Sequence, residues 1–188
     1  MMTLEQRVAA LEAAEAIRQL KARYASLADQ KYTAGYQRQP ALVMQKIALA
    51  QAACFTEDAV WEGGAEFGAS LVGRAALADW FSRSPWCYAL HYYGSPEINI
   101  GGETASAHWR LWQIALRDQT KEAVLLGAMT YEEYACGPDG AWLVSRMRFE
   151  QTQMLPLEAG RFPLVTSFDQ INDAARRTSQ LTLDVSTS

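Results

Sequence analysis

Three side chains carry types and spacings that could do chemistry. Tyr24 and Asp29 lie near the end of what reads as the first helix. His91 sits far downstream in the aromatic-flanked stretch Cys87-Tyr88-Ala89-Leu90-His91-Tyr92-Tyr93, which reads as a strand; the chain has only two histidines, so each must be accounted for. If the fold brings Asp29 to His91, the result is an orienting carboxylate, a base that titrates near neutral pH and a phenol able to donate a proton. Such a set serves proton transfer at a carbon acid, or an elimination. The plainer reading makes Asp29 a helix-terminating turn residue and His91 a strand histidine satisfied by a carbonyl.

The elements that must position these residues are legible in the periodicity. Residues 3 to about 28 read as one helix with Thr3 as N-cap, and Ile17, Leu20, Tyr24 and Leu27 recur at helical spacing. Asp29 lies five residues beyond Tyr24, about 140° round an ideal helix. The helix is therefore expected to end or bend near Ala28 if both residues enter one pocket. A polar loop over 30–40 leads to a second helix from Pro40 to Ala53, a first strand ending at Glu62, and a short strand at Ser70-Leu71-Val72 among turn glycines. A third helix over 74–84, opening at Arg74, stops at Pro85; Arg74 is expected to bind nearby carbonyls or carboxylates.

From there the period changes to two. Residues 88–93, 97–100, 104–116, 122–134 and 141–151 read as strands, separated by turns at Gly94-Ser95-Pro96, Gly101-Gly102, Arg117-Asp118 and Gly137-Pro138-Asp139-Gly140. Helices first and long antiparallel strands afterwards is an α+β arrangement, a curved sheet wrapped against a helical layer. Residues 1–155 form this domain. Residues 156–188 read as a C-terminal extension with a short helix near Phe168 to Arg177.

Composition narrows the function classes. Residues of hydrophobic type make up 49% of 188, enough for a sizeable core without metals or disulfides. The net charge of −4, with no basic run longer than Arg176-Arg177, argues against a nucleic-acid partner. No apolar run is long enough to span a bilayer and no secretion signal opens the chain, so no membrane partner is expected. Cys54, Cys87 and Cys136 lack metal-site spacing, which fits a reduced cytoplasm. No metal set, nucleotide fingerprint or nucleophile elbow is present, so neither metal nor cofactor is expected. The aromatic surplus includes Trp61, Trp80, Trp86, Trp109 and Trp112. Core filling accounts for most of it, and the remainder could line a pocket for a flat, hydrophobic ligand. By period two, Trp109 and Trp112 point to opposite sheet faces, so at most one lines a pocket. His108, within ASAHWRLW, reads as a surface or interface residue.

The order LEAAEAIRQLKARYASLAD, CFTEDAVWEGG, LVGRAALADWF, ALHYYGSPEINIGGETASAHWRLW, MTYEEYACGPDGAWLVSRMRFE resembles the SnoaL-like branch of the nuclear transport factor 2-like superfamily over roughly residues 4–155. It is similar in particular to the group of scytalone dehydratase, bile acid 7α-dehydratase and hexachlorocyclohexane dehydrochlorinase. The resemblance implies a cone-shaped α+β barrel, with helices packed on a mainly antiparallel sheet. It also implies lyase chemistry, usually without metal or organic cofactor, in homo-oligomers that are often trimers. Strands this long and aromatic seldom leave both faces wet, so a homodimer or homotrimer through the convex face is expected. Asp29 and His91 match that group's aspartate and histidine, and Tyr24 matches the position of a tyrosine or lysine. Two positions depart. The strand that would carry another histidine or aspartate reads Trp112-Gln113-Ile114-Ala115-Leu116, and the place of a last-strand arginine falls at Met147.

The expected activity is a dehydratase-like elimination on a hydrophobic aromatic or polycyclic small molecule. Tyr24, Asp29 and His91 are the catalytic candidates, and Trp61, Trp112, Gln113 and Met147 the substrate contacts. Aldehyde-releasing retro-aldol cleavage, isomerisation or polyketide-type cyclisation would use the same parts. A non-catalytic binding or assembly domain is the rival of a different class.

Overall fold

The computed structural model describes residues 2–64 and 68–157. The C-terminal extension from residue 158 on, including the short helix expected near Phe168 to Arg177, lies outside the described residues.

Helix α1 spans Leu4–Gln30 and opens with a reciprocal cap. The Thr3 hydroxyl accepts the Gln6 backbone N–H while the Gln6 side chain accepts that of Thr3. Helix α2 is Ala41–Ala52 and helix α3 is Arg74–Ser82. The strands are β1 (Phe55–Glu62), β2 (Leu71–Val72), β3 (Trp86–Gly101), β4 (Thr104–Arg117), β5 (Ala123–Cys136) and β6 (Trp142–Pro156). They form one mixed sheet in the order β2-β1-β6-β5-β4-β3. Among the described strands, only β1 and β6 run parallel. The sheet does not close on itself: β2 and β3 are its edges, so the expected barrel is an open cone with the helices packed against its concave side.

One expectation about an element is corrected. The turn at Gly94-Ser95-Pro96 is a bulge inside the single strand β3: Gly94 pairs with Arg110 and Glu97 with His108, so three steps on β3 oppose two on β4. Ser95 takes the strain at φ 45°. Pro96 is tolerated because β3 is an edge strand, where a missing N–H leaves no ladder partner wanting. Helix α1 runs through Asp29 and ends at Gln30, two residues past Ala28 and close to where the sequence places its end.

The core gathers Ile17 and Tyr24 of α1, Phe55 and Trp61 of β1, Leu77 and Phe81 of α3, and Trp109, Tyr134 and Met147 of the long strands. Arg74 ties the start of α3 to β1, donating to the Phe55 carbonyl from Nε at 3.0 Å and pairing with Glu57. Strand parity decides which side chains face the cone. On β3 and β4 the odd positions 89, 91, 93, 109, 111 and 113 point inward. His108 and Trp112 therefore face outward; the His108 ring lies 5.0 Å from that of Tyr131.

Candidate active site

Buried positions of α1 fall at Ile17, Lys21, Tyr24 and Ala28. The steps of four, three and four keep one face of the helix turned to the cone. Lys31, the C-cap residue, continues the stripe by three more.

Asp29 is off this stripe and approaches β3 from the side. One of its oxygens, Oδ1, accepts the backbone N–H of His91 at 3.0 Å and meets Nδ1 of the same residue at 2.8 Å. A carboxylate in the last turn of a helix faces the negative end of the macrodipole, an unfavourable placement of roughly 0.3–1 kcal/mol at an exposed site. Two hydrogen bonds to a charged acceptor offset it. They also set the tautomer: Nδ1 carries the proton given to Asp29, and Nε2 keeps its lone pair. Asp29 thus braces the histidine without entering the cavity, and no bend in α1 is required.

His91, Tyr24, Gln113 and Trp61 all line one cavity in the mouth of the cone, whose volume is about 80 Å³. Its walls are largely aromatic, with Trp80, Phe81 and Trp86 on the helical side. Gln113 stands directly across the β3–β4 ladder from His91. It is 4% exposed, and its Nε2 has no hydrogen-bond partner. The Gln51 side chain, also buried on the wall, leaves its Oε1 likewise unpartnered.

Two expected substrate contacts are not on the cavity wall. Trp112 is 55% exposed on the outer face of β4, because its parity is opposite to that of Gln113. Its ring covers Gly127 of the neighbouring strand, 3.4 Å from where a Cβ would stand there. Met147 points inward but is fully buried in the core, between Trp61 and Glu132 in the ladders.

Burial dominates the electrostatics. It pushes the His91 imidazole below its ordinary range; the Asp29 contacts pull the other way, and the charges of Lys31 and Lys21 push it further down. His91 is therefore a neutral base at pH 7. Burial likewise lowers the Lys31 ammonium to about 8, against a smaller opposing pull from Asp29. Tyr24 is raised by burial and then by the charge of Glu132, so its phenol keeps its proton and acts as a hydrogen-bond donor.

Behind the cavity lies a polar network. Lys21 pairs with Glu132, both of them buried, and the Lys21 ammonium lies 3.6 Å from the centroid of the Tyr93 ring. Glu132 also accepts from Thr130 at 2.7 Å and from the Tyr134 hydroxyl, which in turn accepts the Trp109 indole N–H at 2.9 Å.

Lys21, Lys31, Gln51 and Glu132 are absent from the sequence-based candidates, yet two signals point to the lysines and to Glu132. The lysines sit at stripe spacing from Ile17 and Tyr24. Glu132 shares the inward parity of Leu126, Ala128 and Tyr134 on β5. Among the described residues no group of three or more His, Cys, Asp or Glu is placed to hold a metal ion.

Residues 9–148 match the profile of the SnoaL-like domain. No curated protein matches the chain. Among solved structures, it is similar to the hexachlorocyclohexane dehydrochlorinase LinA-type3 of Novosphingobium barchaimii, with 15% identity, a TM-score of 0.68, and coverage of 86% of this chain and 99% of that one. It is also similar to a protein provisionally named a scytalone dehydratase from Novosphingobium aromaticivorans, at 14% identity and TM-score 0.65, covering 86% and 99%. A nuclear transport factor 2-like protein with a cystatin-like fold from the same organism gives 23% identity and TM-score 0.59, covering 79% and 90%. At these identities the likeness is one of fold.

Proposed function

The chain belongs to the SnoaL-like domain family, and on that premise we propose that it is a cofactor-independent lyase acting on a compact, hydrophobic, aromatic small molecule. The observation that carries this reading is the 2.8 Å contact between Asp29 Oδ1 and His91 Nδ1 at the wall of an aromatic-lined cavity. A cavity of about 80 Å³ favours one ring over a polycyclic system.

In the proposed elimination, His91 Nε2 takes a proton from the carbon next to a carbonyl or an electron-poor ring. The C–H electron pair becomes the new C=C bond as the C–O bond to a β-hydroxyl breaks. Asp29 holds the tautomer and stabilises the imidazolium. The imidazolium then returns its proton to the departing hydroxyl, which leaves as water, and the base is regenerated. Tyr24 steadies the developing oxyanion by hydrogen bonding. Full proton transfer from a phenol held above its ordinary range costs roughly 1.4 kcal/mol for each unit of that rise, which favours His91 as the shuttle.

Aldehyde release by retro-aldol cleavage, isomerisation or cyclisation would use the same base. The second reading, a non-catalytic binding or assembly domain, is favoured by one observation: the β4 position beside His91 holds an amide, Gln113, and no ionisable group. Mass spectrometry on a panel of aromatic diols and β-hydroxy carbonyl compounds separates these readings. His91-dependent loss of water or formaldehyde supports a lyase, and tight binding without product supports the binding domain.

The proposed setting is the cytoplasm, consistent with three free cysteines, and the proposed assembly is a homodimer or homotrimer. No helix among the described residues is long and apolar enough to cross a membrane.

A further inference from the structure

Two buried lysines lie ten residues apart on one stripe of α1, and they meet their charge differently. Lys21 is neutralised by Glu132. Lys31, 7% exposed and lining the cavity, reaches only the Phe81 carbonyl, at 3.5 Å, and the Phe81 ring, whose centroid is 5.5 Å away. Among the described residues no carboxylate oxygen comes within 4.0 Å of it. Asp29 is close enough to act on Lys31 through its field, but its hydrogen bonds go to His91. A buried ammonium with no carboxylate in contact keeps most of its desolvation penalty. An anion entering the cavity would relieve it.

Another residue lining the same cavity, Gln113, has a buried amide donor, Nε2, without an acceptor. The residues of the wall therefore carry unsatisfied N–H capacity at the His91 end, and Gln51 Oε1 is a buried acceptor without a donor. Donors in excess beside an uncompensated cation select an acceptor that is itself charged.

We propose that Lys31 and the Gln113 amide form the anion-binding end of the cavity, and that the substrate is a single-ring compound bound through an ionised oxygen, phenolate or carboxylate. This assignment rests on the cavity being the substrate site proposed above. It places the reacting carbon beside His91 by holding the anionic oxygen, and makes Lys31 a specificity-determining residue.

The titratable and charged groups that share the cavity with Lys31 are Tyr24 and Tyr32 from α1 and the turn after it, His91 and Tyr93 from β3, and Arg83 past α3, and Asp29 acts on it through its field. Burial pushes the phenols up, Tyr32 to about 12, so none of them ionises around neutral pH. His91 is the one neighbour that can confuse a titration there, and His91→Gln removes it.

The test is the binding of 4-nitrophenol and of benzoate, the first followed by its phenolate absorbance across pH. Wild type and His91→Gln should both bind the phenolate form in preference and lower its ionisation midpoint by at least about one unit, a tenfold preference for the anion. Lys31→Met should abolish or reverse that preference and weaken benzoate about tenfold or more, and Lys31→Arg should keep it. Lys31→Gln repeats the measurement if Lys31→Met does not fold, with the far-ultraviolet circular dichroism of each variant as the check. Wild type that binds neither probe, binds only neutral 4-nitrophenol, or loses nothing on Lys31→Met would overturn the assignment. Retention by His91→Gln keeps the outcome independent of whether the lyase reading holds.

Discussion

One oxygen of Asp29 holds both the backbone N–H and the imidazole Nδ1 of His91, at 3.0 and 2.8 Å. The carboxylate therefore fixes the strand position of the residue and the tautomer of its ring together. A catalytic dyad built this way loses function as a unit. Asp29→Asn and His91→Ala should each lower kcat by at least about a hundredfold, the scale of positioned general-base catalysis. The double variant should be no worse than the poorer single one, because each change disables the same proton transfer. A double variant that loses the product of the two single losses contradicts the dyad.

Lys31 makes a prediction about stability that needs no substrate. Its folded value is about 8 and the ordinary lysine value 10.5, so between these the unfolded chain binds more protons than the folded one. Stability should therefore rise with pH from about 8 toward 10, since burial penalises only the charged form. His91 has the same sign in another window: its folded value lies below 6.5, so stability falls as pH drops below 6.5. Denaturant titrations of wild type against Lys31→Met should show the alkaline rise in wild type and its loss in the variant. Equal slopes above pH 8 would mean that Lys31 is not buried as a cation.

The Lys21–Glu132 pair should behave as a coupled buried ion pair. Glu132→Gln alone leaves an ammonium without its counter-charge and should cost about 3–5 kcal/mol, whereas replacing both residues by apolar ones of similar volume should cost far less. Chemical denaturation of Glu132→Gln, Glu132→Leu, Lys21→Met and the double variant Lys21→Met with Glu132→Leu measures this. Additive losses would show that the two side chains do not depend on each other.

The inward direction of His91 came with the family resemblance, whereas the first helix and the order of elements were legible from spacing, because burial of one face imposes a period that sequence records directly. The continuity of β3 through Gly94-Ser95-Pro96 was not. Glycine and proline punctuate a strand locally, and only knowing that β3 is an edge shows why they do not end it. Gln113 was recoverable as an inward residue. Trp112 was misplaced by its type despite its parity, since a large aromatic side chain suggests a wall wherever it stands. Lys21 and Lys31 were overlooked because lysine on a helix ordinarily marks the solvated face. Their spacing from Tyr24 said otherwise, and the cavity and the Glu132 partner show why they are buried.

Trp112, Tyr92 and Leu155 stand exposed on the outer face of the sheet, where adjacent strands bring Tyr92 and Trp112 into direct register. If this face joins subunits, the chain should scatter light as a dimer or trimer of its 20.9 kDa unit, and Trp112→Glu should shift it toward monomer. A wild-type mass near 21 kDa at micromolar concentration would remove the interface.

Proton abstraction from carbon by His91 is tested most directly with a β-hydroxy carbonyl compound from the panel, deuterated at the carbon between its two functional groups. The predicted result is release of water by wild type, slowed by a primary isotope effect, with no turnover in His91→Ala despite retained binding of benzoate. Product formed at an undiminished rate by His91→Ala, or saturable binding by wild type with no product from any member of the panel, would contradict the account.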